Sequence, residues 1–342
     1  MGFDFIPQNS AVSTVRARCS WAEGYKNSLK LDLNKFRPEQ SCNGISKFNL
    51  NNLRHDHSFL HEFLIYRMYQ ELGIAAPRAA LARVFVNGHY AGLYSLLEQV
   101  DKTFLTSNFP DGGQGDLWKS RNWNFAGRPD WKKDIQAKTN ESDPDTTAIM
   151  DFVGTLNRQT GSGNAGFIAE YFRMEDLLKI FAVDFLTRAT DHPFYGIGHN
   201  FYIYRDTVTK KFTYIPWDYD QTFSPELEGK YALNYAGGNE TGNPLIWQVL
   251  NDPDWKKMYR QTVCLVLDSV FNEDWIRKEL SIVNLIRESV REDPGKAGTF
   301  PEFELLTDPE GKDPSSLAGF VRSVSVLSRE QMRELLPDCF FR

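Results

Sequence analysis

No run of about 18 apolar residues occurs in this chain, so it encodes no membrane-spanning helix. The first residues, Met1-Gly2-Phe3-Asp4-Phe5-Ile6-Pro7, lack the basic and apolar regions of a secretory signal. Ile6 stands where a myristoylation signal needs Ser or Thr. Any targeting segment is therefore expected to have been removed. A basic surplus is missing too: 39 Lys and Arg against 45 Asp and Glu leave a formal charge of -6. That argues against a general nucleic-acid binder, but not against a local basic pocket for phosphates. Cysteine is scarce, and Cys19, Cys42, Cys264 and Cys339 form no Cys-x-x-Cys pair, which argues against a zinc site. Cys264, inside Val263-Cys264-Leu265-Val266-Leu267, reads as a small core residue. Cys19 and Cys42 could pair in an oxidising compartment, a point the sequence leaves open. There is no internal repeat, no low-complexity tract, and no regular alternation of strand and helix.

What is present is an ordinary globular composition, long enough for one large domain or two lobes sharing a cleft. Val12 to Arg18 and Leu29 to Leu33 alternate with the strand period, placing Leu29, Leu31 and Leu33 on one face. Leu60, Leu64, Met68 and Leu72 recur every four residues and predict a helix over 58–72, capped by Asp56 or Ser58 and ended by Gly73. Leu81 to Val86 and Tyr90 to Leu97 flank Asn87-Gly88, a hairpin signal. Asp101 caps a short helix through Phe109. Residues 110–165, rich in Gly, Asp, Asn and Thr, read as a mostly surface insert or connection with one helical piece at Ala148 to Leu156. A helix follows from Met174 to Arg188, then a loop over 190–199, and strands at Phe201 to Tyr204 and Phe212 to Ile215. The final third reads as helices at Leu245 to Leu250, Trp255 to Val270, Trp275 to Val290 and Ser328 to Leu335, with a linker over 293–317. Strands followed by helices make the expected class α+β.

The densest polar cluster is Thr190-Asp191-His192, His199-Asn200-Phe201-Tyr202 and Ile215-Pro216-Trp217-Asp218-Tyr219-Asp220. The turn at Asp206 to Lys210 folds the two strands together, so Asp191 and Asn200 should meet Asp218 at one end. Hard cations such as magnesium take carboxylate and amide oxygens, often only one or two from the protein, with phosphates supplying more. A carboxylate that accepts a hydroxyl proton, with an Asn and an Asp on metal, is the minimal equipment for phosphoryl transfer. The bland alternative is that these residues cap loops and turns, as Asp and Asn do widely. Asp218-x-Asp220 alone also fits a plain turn. It lacks the glycine and distal glutamate of a twelve-residue calcium loop.

Those segments resemble the signature of the CotH spore-coat kinase family. The likeness extends to Tyr25-Lys26-Asn27-Ser28-Leu29-Lys30-Leu31, to Asn49-Leu50-Asn51 with Asp56-His57-Ser58 and Leu60-His61-Glu62, and to Val86 through Tyr94 with Glu98 through Leu105. It spans about 12–290, several blocks in the right order. The resemblance implies an atypical protein-kinase-like, two-lobed fold: one domain over 1–342, with a β-rich N-terminal lobe (about 1–110), an insert or connection (111–165) and a helical C-terminal lobe (166–342). It implies ATP with Mg²⁺ or Mn²⁺ as cofactors, a protein substrate phosphorylated on Ser or Thr, and an extracytoplasmic or spore-associated location. It implies Asp191 as the catalytic aspartate and Asp218 as the metal-binding one, Asn200 as a metal or phosphate contact and Asp220 as a further metal carboxylate.

A cation for the nucleotide phosphates is also needed. Lys30, on the polar face of its strand, and Lys26 just before it are the candidates, with Glu98 the expected partner and Glu62 the second choice. Arg16 and Arg18 are weaker phosphate candidates on the same strand face. His192 and His199 suit hydrogen bonding or packing better than metal binding, and Trp217 and Tyr219 suit packing better than adenine stacking. Three positions depart from the family pattern: Cys19 replaces a glycine, Asn27 one of two lysines, and His61 an arginine. A glycine at 19 would let backbone approach phosphates closely. Other readings remain open: adenylyl or glutamyl transfer on the same fold, or a non-catalytic surface module that binds metal without turnover.

Overall fold

A computed structural model describes residues 26–159, 165–224 and 243–335, together with the backbone of a strand at 14–18. Residues 19–25, with Cys19, as well as Cys339 and the side chains of Arg16 and Arg18, lie outside the described residues.

Two antiparallel sheets carry the first half of the molecule. The first contains β1 (Thr14–Arg18), β2 (Ser28–Asp32), β3 (Lys47–Asn51), β4 (Ala79–Val86) and β5 (His89–Glu98), in the order β1-β2-β3-β5-β4. β4 and β5 form the expected hairpin. Asn87 and Gly88 have φ of 51° and 81°, both positive, as a tight two-residue turn matched to strand twist requires. β3 was not expected, because its five residues lie between turn-forming Asn, Gly and Ser and carry one polar face. The second sheet contains β6 (Asp116–Ser120), β7 (Ile135–Ala137), β8 (Phe201–Arg205) and β9 (Phe212–Pro216), in the order β7-β6-β8-β9.

The stretch read as a surface insert therefore is not peripheral. β6 lies inside the second sheet, and Trp118, Trp123, Phe125 and Trp131 are buried. Its many Gly, Asp and Asn residues make turns between short elements, and that composition hid the strands.

Helix α1 (His61–Glu71) starts later than its apolar period suggests. Asp56 Oδ2 accepts the His61 N–H at 2.7 Å and Ser58 Oγ the Leu60 N–H at 3.2 Å, so these side chains take donors the helix start leaves open. Leu60, Leu64 and Met68 are fully buried, and α1 lies between β4 and α5. Asp101 caps α2 (Lys102–Asn108). α3 (Thr147–Arg158) and the short α4 (Ile168–Tyr171) precede α5 (Met174–Thr187), which is apolar around nearly its whole circumference and packs on α7.

The helical remainder comprises α6 (Pro244–Asn251), α7 (Pro253–Ser269), α8 (Glu273–Glu279), α9 (Val283–Glu292), α10 (Phe300–Leu306) and α11 (Leu317–Leu335). The single helix expected from Trp275 to Val290 is broken by a 3₁₀ turn at Leu280–Ile282. The stretch expected as a linker holds α10 and buries Phe303 and Thr307. Segregated sheets and helices make the protein mixed α and β, of the α+β kind. One apolar cluster runs from Leu53 to Met332 and joins α1, the second sheet and the helices. Cys42 is a free thiol, so it makes no pair with Cys19, whereas Cys264 is buried and disulfide-bonded.

The segment after α9 returns to the first sheet. Asp293 Oδ2 accepts the Leu93 N–H at 2.8 Å and pairs with the Lys26 ammonium, which also reaches the Leu93 carbonyl. The Phe59 and Tyr94 rings flank that ammonium, with centroids 5.1 and 4.9 Å away. Gly92 makes this approach possible: its φ is 129°, and a Cβ there would lie 2.6 Å from Asp293 Oδ1. His57 and Glu302 add a second tie at 2.7 Å.

Candidate active site

The pairing of β8 and β9 sets the site. Phe201 lies opposite Pro216, and the Trp217 N–H donates to the Asn200 carbonyl at 3.1 Å, so the residues just outside both strand ends meet. Asn200 and Asp218 both have φ of 65°, a left-handed conformation that Asn and Asp tolerate better than other side chains. The chain turns out of the sheet at both residues and delivers their side chains to one place.

Asp191 lies on the loop after α5. Its Oδ2 accepts from Asn200 Nδ2 at 2.8 Å and Gln221 Nε2 at 3.3 Å, and its Oδ1 is 2.9 Å from His199 Nε2. The carboxylate is held from three sides yet keeps 23% side-chain exposure, so a solute can reach it. Because the Asn200 amide nitrogen is used on Asp191, its oxygen is the atom left to face a cation.

The segment 217–223 is fastened along its backbone. The Asp218 N–H donates to the Tyr66 hydroxyl at 3.2 Å. The carbonyls of Asp218, Tyr219 and Asp220 are met by His192 Nε2 at 3.2 Å, Thr222 Oγ1 at 3.0 Å and His61 Nδ1 at 2.9 Å. The Phe223 N–H then donates to the Thr187 carbonyl at 2.6 Å. His192 is buried under Tyr219, ring centroids 3.8 Å apart, and burial lowers its pKa to about 3, so it serves as a neutral donor. His192 and His199 thus both make polar contacts, to the Asp218 carbonyl and the Asp191 carboxylate, in line with the hydrogen-bonding or packing roles expected of them. Trp217 packs edge-on against Tyr202 at 5.6 Å, and the Lys119 ammonium lies 5.4 and 5.5 Å from the two ring centroids.

Negative charge accumulates here. Burial, then the carboxylates of Asp218, Asp56 and Asp191, push the Asp220 carboxyl up to about 8. Glu62, on α1 and fully buried, is pushed well above the usual carboxylate range by burial and then by Asp218 and Asp220. Its oxygens accept from the neutral amide of Asn51 at 3.0 and 3.1 Å. This donor set fits a divalent cation, whose charge would offset a cluster that is otherwise costly. Among the described residues no group of three or more His, Cys, Asp or Glu side chains is arranged to hold a metal ion by itself. A magnesium ion that also binds phosphates and water needs fewer protein ligands than that.

The expected lysine–glutamate pair does not form. Lys30 lies opposite Asn49, and Asn49 opposite Leu97, while Glu98 lies opposite Phe48. Adjacent strand residues point to opposite faces, so Lys30 and Glu98 are on different sides of the sheet. Glu98 is instead bound by Arg78 through two bonds of 3.0 Å. Lys26 is occupied by Asp293, away from the acidic cluster. Lys30 donates to Gln99 Oε1 at 2.7 Å, and Gln99 also accepts from Asn49 at 3.2 Å and reaches the Tyr202 hydroxyl at 3.4 Å. The structure brings Asp191, Asn200, Asp218 and Asp220 close to one another. Sequence reasoning gave no role to Asn51, Gln99, Arg78 or Asp293; the first two lay within the family-like blocks, and Arg78 and Asp293 offered no signal beyond their charge.

The match to known proteins is consistent with this geometry. A family described as "CotH kinase protein" matches residues 15–327. The inner spore coat protein H of Bacillus subtilis is 24% identical over 282 residues, covering 80% of this chain and 76% of its own length. The spore coat protein homolog 1 of Rhizopus delemar is 23% identical over 244 residues, covering 66% of this chain but only 39% of the fungal protein. The chain belongs to the CotH kinase protein family.

Proposed function

We propose that this chain is an atypical protein kinase that uses ATP with Mg²⁺ or Mn²⁺ and transfers the γ-phosphate to Ser or Thr of a protein substrate. The observation that carries the reading is the meeting of a reachable, triply held Asp191 with the carboxylates of Asp218 and Asp220 and with buried Glu62, which accepts from the neutral Asn51 amide. On this reading the first sheet with α1 and the helical remainder act as the two lobes of a kinase-like cleft. The names of the relatives favour a spore-associated location.

Each residue then has a separate task. Asp191 orients the acceptor hydroxyl and takes its proton; the bonds from Asn200, Gln221 and His199 keep its carboxylate in one rotamer. Asp218, Asp220 and the Asn200 oxygen hold the metal, with Glu62 as the charge behind them. A divalent ion held there would supply the positive charge that offsets the charge developing on the transferred phosphate. Lys30 is the cation for the nucleotide phosphates. It lies on the sheet face of Asn49 and Gln99 and donates to the neutral Gln99 amide, whereas Lys26 and Glu98 are committed to buried structural pairs.

Intact-mass spectrometry of the chain and a generic protein acceptor, after incubation with ATP and Mg²⁺ or Mn²⁺, tests the proposal. Phosphate increments that disappear in Asp218→Ala are expected. Adenylate increments would reassign the reaction to nucleotidyl transfer at the same residues. No increment, with no nucleotide-dependent thermal shift, would sink the catalytic reading.

A further inference from the structure

A group of buried hydroxyls lies beneath the Asp218–Asp220 segment and takes part in none of the steps above. Tyr219 is fully buried, and its hydroxyl donates to Asp184 Oδ1 at 2.8 Å. The Tyr69 hydroxyl lies 2.6 Å from the Tyr219 oxygen and 3.2 Å from the same Asp184 oxygen. Asp184 comes from α5, Tyr69 from α1 and Tyr219 from the loop, so three elements meet on one carboxylate. The hydrogen bonds that Asp184 accepts from side chains come from these two phenols, and burial pushes its carboxyl up to about 7. A buried carboxylate is costly unless its bonds do something for the molecule.

The neighbourhood supplies its own contrast. Tyr214 and Tyr259 are equally buried and lie in the field of Asp184, but their hydroxyls have no hydrogen-bond partner among the described residues. Hydroxyls in this part of the core are therefore tolerated without being used. The one on Tyr219 is used, and it belongs to the residue between the two candidate metal aspartates. Asp218 and Asp220 are anchored by their carbonyls to His192 and His61. The bonds to Tyr66, His192, Thr222 and His61 all act on the backbone of the segment; the inward Tyr219 hydroxyl ties it by a side chain, to Asp184 on α5.

We propose that Asp184 is a positioning residue for the metal-binding segment: through the Tyr219 hydroxyl it fixes the orientation in which Asp218 and Asp220 present their carboxylates. The inference rests on the reading of those aspartates as metal ligands. Partners that orient ligands from behind commonly change metal affinity by about 10–100-fold when removed.

The test is titration of the whole chain with Mn²⁺ alone, followed by calorimetry and by the paramagnetic resonance of unbound ion. Tyr219→Phe and Asp184→Asn are expected to bind about tenfold more weakly than the wild type. Tyr214→Phe and Tyr259→Phe, which remove equally buried oxygens without a link to the segment, are expected to bind as the wild type does. Circular dichroism and a melting curve verify that each variant is folded. Should Asp184→Asn fail to fold, Tyr219→Phe, which loses a single oxygen, decides alone. Wild-type affinity in Tyr219→Phe overturns the positioning role and leaves the metal reading standing. Equal weakening in all four variants overturns it too, because the cause would be a loosened core. Absence of Mn²⁺ binding in the wild type overturns the metal reading, and the positioning role falls with it.

Discussion

Asp293 and Glu62 are both sealed from solvent around the first sheet, and the chain treats them in opposite ways. Asp293 has a cation: Lys26 reaches it between two aromatic rings, and the Leu93 and Gly295 N–H groups complete its bonds. Glu62 accepts from the neutral Asn51 amide and faces two further carboxylates. A buried ion pair with its hydrogen bonds filled is a fastening. A buried carboxylate facing its own kind is an unfinished pair, and the missing charge is the one a divalent metal would bring. The difference separates where this family member is built from where it is equipped to act.

The largest way to break the comparison is at the fastening. Asp293→Ala should cost about 3–5 kcal/mol in urea unfolding, because it strands a buried ammonium. Lys26→Met with Asp293→Leu together should recover part of the loss. A cost near zero for the single change would mean that the pair does not hold the sheet.

At the other carboxylate the sign should reverse. Glu62→Gln should leave metal-free stability unchanged or raise it by about 1 kcal/mol, since it removes a charge that burial disfavours. The same variant should lose much of the thermal shift produced by Mn²⁺. Destabilisation without metal would place Glu62 with Asp293 as a structural group.

Asp184 offers a comparison in pH. Burial raises its carboxyl from the ordinary 3.8 to about 7 in the folded chain, so the folded state holds the proton more tightly. The stability this contributes is full below about pH 4 and is lost as pH rises through about 7. Asp184→Asn removes that slope, so its melting temperature should gain on the wild type between pH 4 and 7 in metal-free buffer. A constant offset across that range would remove Asp184 as the titrating group. The smallest effect on stability is expected at Lys30, whose bond is to a neutral amide. Lys30→Met should change unfolding free energy by about 0.5–1 kcal/mol while weakening the nucleotide-dependent thermal shift. A large stability loss would make Lys30 a fastening like Lys26.

The site and the fastening were not equally legible in the sequence. Asp191, Asn200 and Asp218 could be brought together on paper because a hairpin folds by a local rule: strand period and turn length fix which ends meet. Helices α1, α5 and α7 were legible for the same reason, since apolar spacing is a property of neighbours in the chain. Partners distant in sequence were not. Glu98 and Lys30 seemed a pair until β3, unrecognised because of its polar residues, set the parity of the sheet and placed them on opposite faces. Lys26 was read as a phosphate ligand because nothing near it in sequence announces Asp293. The strands in 111–165 were hidden by turn residues that serve short elements as well as surface loops.

The tie between Lys26 and Asp293 also has a consequence for the making of the protein. The two residues are 267 positions apart, so the ammonium leaves the ribosome long before its counterion exists. During that interval Gly92 presents an empty notch, and the edge of the first sheet near Lys26 has no anchor. Completion of the sheet around Lys26 waits for a segment made much later. Truncations ending before 293 should therefore yield an unstable first sheet, not a smaller working unit, and nascent chains of that length are the ones that most need a chaperone.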